Sequence, residues 1–211
     1  MPRARILLAD DHTVVLDAFK KLLEPAYDVV GTAADGHALV AAAETLKPDL
    51  IILDVAMPNL NGLDACERVR QRLPGAKIIF LTMTHDRDTA AEAIRRGASG
   101  YVLKSAPSLE LFEAISEVLR GKTYVTPAMT DEPSAVFVAR AQKGKAAALS
   151  LRQREVLQLL AEGKSMKEAA DTLNVTPRTI AFHKYTMMER LGFKTTAELV
   201  QHAVMIGLVS R

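Results

Sequence analysis

The chain has one cysteine, no long apolar run and almost no net charge, and each shortage removes a class of protein. The lone thiol, Cys66, allows neither an internal disulfide nor a multi-thiolate metal centre. It falls in an apolar helical pattern, where packing is its expected role. No stretch of about 18 consecutive apolar residues occurs, so no membrane-spanning helix is expected. The opening MPRARILLADDH is too polar for a secretion signal, and a cytoplasmic protein with no membrane partner is the expectation. Internal repeats are also missing. The formal net charge is +2, but it is unevenly spread. Residues 1–122 carry 15 basic against 17 acidic side chains, residues 123–147 carry 3 against 2, and residues 148–211 carry 9 against 6. The last third is the basic part, which weakly favours a polyanionic partner there.

What is present is enough to fold: 211 residues with 49% hydrophobic content can bury a core, and the pattern divides them in two. Strand-like apolar runs at Ile6–Ala9, Tyr27–Val30, Leu50–Leu53, Lys77–Met83 and Tyr101–Leu103 alternate with segments of helical spacing such as Val15, Leu16, Phe19, Leu22 and Leu23. That rhythm predicts an α/β domain over residues 1–122, with a doubly wound five-stranded parallel sheet covered on both faces. Periodicity fades between Val125 and Ala148, where two prolines precede a Gly/Lys/Ala tract. Residues 123–147 therefore read as a linker with a short helix through Ala135–Gln142. From residue 148 to 211 everything reads as a small all-α unit of four helices. Ser150 with Gln153, Ser165 with Glu168 and Thr195 with Glu198 form capping boxes, and Thr176-Pro177 marks a further start. Gly163, Asn174, Gly192 and Gly207 stand where helices should stop.

Chemistry collects where the strands end. The first strand runs into Asp10-Asp11, the third into Asp54, the fourth ends in Thr82 and the fifth in Lys104. In one parallel sheet these side chains meet at one edge, where doubly wound folds bind ligands. Each alone reads as a helix cap or an exposed charge; their convergence favours a site. Three carboxylates in close range repel, and a hard divalent cation such as Mg²⁺ relieves them, with the Ala56 backbone carbonyl as a neutral ligand. A carboxylate beside Mg²⁺ can accept a phosphoryl group, helped by the Lys104 cation and the Thr82 hydroxyl.

In the tail, the segment from Ser165 to Leu173, the turn Asn174-Val175-Thr176 and the helix from Pro177 have helix-turn-helix proportions. Ile180, His183, Met187 and Leu191 share one face, which should point to the core. Arg178, Ala181, Phe182 and Tyr185 lie opposite, flanked by Lys184. These residues, with Thr176 and Thr179, are the candidate DNA contacts: Arg178 to guanine or phosphate, Phe182 to thymine methyls, Lys184 to phosphate. Phe182 and Tyr185 read equally well as an aromatic pair packed on another helix. No partner residue makes His183 a metal ligand.

The stretches ILLADDH, LIILDVAMPNLNGLD, IIFLTM and GASGYVLK resemble the receiver domain of two-component response regulators across residues 4–122. The stretch from Leu149 to Val200 is similar to the LuxR/NarL-type DNA-binding domain, most closely in Arg154-Glu155-Val156-Leu157, Lys167-Glu168, Arg178-Thr179-Ile180 and Leu191-Gly192. The chain as a whole is thus identified as resembling a response regulator of the NarL/FixJ type. That resemblance implies a flavodoxin-like receiver in which a sensor histidine kinase phosphorylates Asp54. It implies Mg²⁺ on Asp11, Asp54 and the Ala56 carbonyl, with Asp10 assisting, and switch roles for Thr82 and Tyr101. It also implies a DNA-reading third tail helix on double-stranded promoter DNA, and a homodimer through the last helix, Thr196 to Met205. Ser105-Ala106 departs from the frequent Lys-Pro form, and Ala181, Phe182 and Tyr185 stand where polar or basic residues are frequent. In the inactive state, the receiver or the linker around Val136–Ala141 is expected to cover the recognition helix or its dimer surface. An aspartyl-phosphate hydrolase would want a second acid two residues after Asp54, where this chain has Ala56. Only slow loss of phosphate from its own Asp54 is expected, and no other enzymatic turnover.

Overall fold

The computed structural model describes residues 3–83, 85–130, 132–143, 149–206 and 208–209. Its sheet holds six parallel strands, β1 (Arg5–Ala9), β2 (Asp28–Ala33), β3 (Leu50–Leu53), β4 (Lys77–Thr82), β5 (Gly100–Leu103) and β6 (Tyr124–Val125), in the order β2-β1-β3-β4-β5-β6. Between them run α1 (Thr13–Leu23), α2 (Gly36–Leu46), α3 (Gly62–Arg72), α4 (Arg87–Arg95) and α5 (Ser108–Leu119). All four residues of β3 are buried, as expected of a strand covered on both faces. Alternate residues feed two apolar layers. Leu7, Ile51 and Phe80 pack with α2, α3 and α4, while Ile6, Ile52 and Leu81 pack with α1 and α5. Emptying such a position by Phe80→Ala would cost about 3–5 kcal/mol. Cys66 lies fully inside the first layer, where burial pushes its thiol up to about 12, in keeping with a packing role.

Two features differ from the sequence reading. The sixth strand is β6, which pairs with β5 through Gly100–Tyr124 and Tyr101–Val125. Two residues are too short to show alternation, so the pattern predicts five strands. The second difference concerns the linker. Its helix, α6 (Ser134–Lys143), forms as expected, but it packs on α4 and sinks Phe137 and Ala141 into the receiver core. The apolar pair at 137 and 141 is spaced one helical turn apart and gives α6 its docking stripe. The tract at 144–148 and the stop expected at Gly207 lie outside the described residues.

The tail folds as α7 (Leu151–Ala161), α8 (Met166–Thr172), α9 (Pro177–Leu191) and α10 (Thr196–Met205) around a core of its own. All three capping boxes form, and Thr176 caps α9 by accepting from the Thr179 amide. Gly192 ends α9 at φ +74°, a left-handed conformation that glycine adopts without strain.

Candidate functional site

The register of the sheet places the charged residues at one level. Ala9 pairs with Leu53 and Thr82 with Leu103, so Asp10, Asp54 and Lys104 each follow the last residue of their strand at one edge, with the end of β4 between Asp54 and Lys104. Lys104 Nζ lies 2.5 Å from Asp10 Oδ2 and 2.6 Å from Asp54 Oδ2. Burial opposes the ammonium charge, but the hydrogen bonds and charges of Asp10 and Asp54 outweigh it and raise the Lys104 pKa. The lysine is therefore a fixed cation between two carboxylates. Asp54 Oδ1 accepts from the Val55 amide at 2.6 Å. Asp11 is exposed, and its Oδ1 lies 2.8 Å from His12 Nδ1. His12 also donates its amide to Asp10 Oδ1 at 3.0 Å. The sequence reading missed this histidine, because it lacks the spacing that marks a metal ligand.

Several backbone details fix Asp54. Its amide donates to the Ala9 carbonyl at 2.9 Å. A Cβ on Gly62 would stand 1.9 Å from the Asp54 carbonyl oxygen, so only glycine lets α3 start this close to the strand end. Thr82 is buried at the end of β4, where its carbonyl accepts the Lys104 amide at 2.8 Å. Tyr101 is fully buried, and burial, then the charges of Asp86 and Asp54, raise its hydroxyl pKa. The ring lies inward. Asp11 and Ala56 line one cleft, and Asp10 and Asp54 line the next. Three carboxylates against one ammonium leave an excess of negative charge from hard oxygen donors, a set that fits Mg²⁺.

At the other end of the chain, α9 turns Ile180 and Met187 inward. Of the predicted DNA contacts, Thr176, Arg178, Phe182 and Tyr185 are exposed, and Thr179, Ala181 and Lys184 are half-buried. Phe182 is 65% and Tyr185 60% exposed, which answers the sequence alternative: they are not packed against another helix. Lys184 Nζ sits 5.5 Å from the Tyr185 ring centroid, within cation–π range. Burial, then the charge of Arg152, holds His183 below the usual imidazole range.

Residues 6–116 match the family described as Response regulator receiver domain, and residues 147–203 match Bacterial regulatory proteins, luxR family. The chain belongs to the NarL/FixJ-type response regulators. This is a family of DNA-binding regulators, not an enzyme family. The regulator is 35% identical to the Transcriptional regulatory protein MctR of Rhizobium johnstonii, over 100% of its own length and 97% of the relative's. It is 37% identical to the Oxygen regulatory protein NreC of Staphylococcus carnosus, over 95% and 96%. It superposes on the RcsB response regulator of Salmonella typhimurium with TM-score 0.68 at 27% identity, covering 98% of this chain and 99% of that one. RcsB bound to a promoter with the phosphomimetic BeF3- gives TM-score 0.62 at 27% identity, covering 94% and 97%. Among the described residues, no helix of the regulator is long and apolar enough to cross a membrane.

The two halves of this regulator touch through α3 and α7, a contact the sequence reading did not foresee. Asp64 is fully buried, and its Oδ1 accepts both from Arg96, just beyond α4, and from Arg154 Nε at 2.7 Å. A second Arg154 nitrogen reaches Glu67 at 2.8 Å. Glu155, also fully buried, pairs with Arg68 and with Arg152. Gln158, 1% exposed, donates to the Met57 carbonyl at 2.8 Å and accepts from the Asn61 amide at 2.8 Å. The expected cover is corrected for the recognition helix, whose face at Phe182 and Tyr185 stays open; at the expected dimer helix, His202, Met205 and Ile206 of α10 share a cleft with Asp88, Glu92 and Arg95 of the receiver. Asp64 entered the sequence reading only within the stretch that resembles a receiver domain. Burial by a partner helix leaves no periodic signal in the chain that supplies the charge.

Proposed function

We propose that this regulator accepts a phosphoryl group on Asp54 from a sensor histidine kinase and thereby controls binding of its helical tail to double-stranded promoter DNA. The observation that carries this reading is the Lys104 ammonium set between Asp10 and Asp54 at the ends of β5, β1 and β3. Asp10, Asp11, Asp54 and the Ala56 carbonyl would hold Mg²⁺. That ion supplies charge neutralisation on the transferring oxygens. Lys104 stays charged and pairs with phosphoryl oxygens that Asp54 acquires, while Thr82 at the adjacent strand end offers its hydroxyl to the same group. Tyr101, already inward, acts with Thr82 as the switch pair.

The working division is a receiver over 1–122, a partly helical linker over 123–147 and a DNA-binding domain over 148–211. Thr176, Arg178, Thr179, Ala181, Phe182, Lys184 and Tyr185 form the DNA-facing surface, supported by the exposure of Phe182 and Tyr185. RcsB structures with DNA support binding as a homodimer, and the absence of any membrane-length helix among the described residues agrees with a cytoplasmic regulator. The test is intact-mass spectrometry after acetyl phosphate and MgCl₂, paired with promoter binding by the same samples. Wild type should gain one phosphoryl group and change its DNA affinity, and Asp54→Asn should do neither. Equal DNA binding by untreated, treated and Asp54→Asn protein would reject phosphorylation control.

A further inference from the structure

The edge of the sheet opposite Asp54 carries the reverse charge. There the chain enters β1, β3 and β4, and a cleft of about 810 Å³ between these entries and the end of α5 sets Arg3, Arg5, Lys47, Arg72 and Lys77 against the one carboxylate of Asp49. Counting Glu44, which pairs with Arg72, five cations still face two acids. Backbone oxygens, not acids, hold three of the five. Arg3 Nη1 donates to the Glu24 carbonyl and Arg5 Nη1 to the Lys47 carbonyl, each at 3.1 Å, and Lys77 Nζ donates to the Leu119 carbonyl. A neutral acceptor fixes the place of a cation without cancelling its charge, so these groups are set for an anion before it arrives. The lone acid is occupied, since Asp49 Oδ2 accepts from the Arg5 amide at 2.8 Å. Lys47 stands at φ +47°, a left-handed backbone that glycine adopts without strain. The chain thus keeps a cation where the end of α2 by itself favours glycine.

We propose that this cleft binds a nucleoside di- or triphosphate, with the phosphate oxygens among the cations and the base against the apolar lining of Pro48, Leu73, Pro74 and Leu119. Size favours a small molecule, because the volume lies within the ordinary range of ligand pockets, about 300–1,000 Å³. Charge calls for several anionic oxygens, since one carboxylate would leave most of the surplus unmet. Arginine forks and lysine point charges both suit phosphate. A groove tracking nucleic acid would add aromatic side chains on which successive bases stack, and among the described residues none lines the cleft. A single base needs only a flat rest, which the two proline rings and the guanidinium planes supply. Asp49 and Asp54 flank the four residues of β3, which sets the two edges roughly 16 Å apart. The inference therefore goes beyond the phosphorylation reading and does not depend on it.

The experiment is calorimetric titration of the full-length protein with ATP, in EDTA so that no Mg²⁺ carries the nucleotide to the acidic edge. Wild type should bind at one site that weakens as NaCl rises. Adenosine lacks the phosphates and inorganic tripolyphosphate lacks the base, so each should bind at least about tenfold more weakly than ATP. Lys47→Gly removes one cation and the left-handed strain together, so ATP binding should weaken about tenfold while the urea midpoint does not fall. Should that midpoint fall, Arg72→Gln decides instead: the position is exposed, and because Glu44 already shares its charge the loss should be smaller, about threefold. No ATP binding by wild type, or equal binding by wild type and both variants, overturns the inference. Tripolyphosphate binding as tightly as ATP overturns it as well, and makes the cleft a patch for any polyanion. Weaker duplex DNA binding by Lys47→Gly with ATP binding unchanged would overturn it in favour of nucleic acid.

Discussion

Two charge clusters in this regulator look alike in composition and differ in balance. At the sheet edge, Asp10 and Asp54 hold the ammonium of Lys104, and Asp11 adds a third carboxylate beside Asp10. Between α3, α4 and α7, the acids Asp64, Glu67, Glu92 and Glu155 meet the guanidinium groups of Arg68, Arg95, Arg96, Arg152 and Arg154. The first cluster has charge left over and opens on a cleft. In the second every carboxylate is paired with an arginine, and the pairs tie helices together. An unbalanced cluster keeps room for a further charged group, whereas a balanced one spends its charge on holding elements together.

The sharpest way to break this contrast is to unbalance the closed cluster. Asp64→Ala leaves Arg96 and Arg154 buried around a missing carboxylate, and removing one partner of a buried pair costs about 3–5 kcal/mol. A urea titration should show that loss in the midpoint, together with freer hydrogen exchange in α3 and α7. A midpoint within error of wild type would mean the cluster holds nothing together. Next in size is Gly62→Ala, which acts on the open cluster through its frame. The new methyl would meet the Asp54 carbonyl oxygen at 1.9 Å, so the start of α3 must shift, at a cost on the order of 1–3 kcal/mol. Phosphate uptake from acetyl phosphate should fall even where the protein stays folded. Unchanged uptake would show that the carboxylate does not depend on this close approach.

The same contrast explains what the sequence revealed. The open cluster was readable because each member sits at the end of an apolar run, and a parallel sheet must bring such ends to one edge: Asp10 after Ala9, Asp54 after Leu53, Lys104 after Leu103. The helical tail was readable for an equally local reason, since Ser150, Ser165, Thr176 and Thr195 cap the helices that follow them. The closed cluster was not. Asp64 and Arg154 lie 90 residues apart, and nothing in the spacing of either helix says they meet. Arg154 and Glu155 were noticed only as part of a family resemblance, which gave them no partner. β6 escaped because two residues carry no period, and α6 was foreseen as a helix but not as a lid on α4.

A smaller effect concerns the margin of the closed cluster. His37 lies on α2, with Asp35 beside it on the same element and the charges of Arg68, Arg152 and Lys164 facing it from α3, from α7 and from the turn after α7. Burial, then Arg68, lowers its pKa below 6.5 against the opposing pull of Asp35. A folded-state pKa below the unfolded one means that the unfolded chain binds the proton more readily. Stability contributed by neutral His37 is therefore complete above pH 6.5 and declines as pH falls below it. Urea midpoints at pH 7.5 and 5.5 should differ in that direction, and His37→Gln should flatten the difference. If the variant keeps the full slope, protonation at this margin is not what weakens the joint.

The smallest expected change in stability is the most informative about the open cluster. Asp11 has a side chain about one-third exposed, paired with His12, in a group that already holds surplus negative charge. Asp11→Asn removes repulsion as well as attraction, so stability should move by no more than about 0.5 kcal/mol in either direction. Calorimetric titration with MgCl₂ should nonetheless show clearly weaker binding, because a hard cation loses an anionic oxygen there. At the closed cluster, stability and charge fall together; here binding should fall while stability stays. If Asp11→Asn instead cost as much as Asp64→Ala, the sheet edge would be one more structural joint, and charge imbalance would not distinguish a site from a fastening.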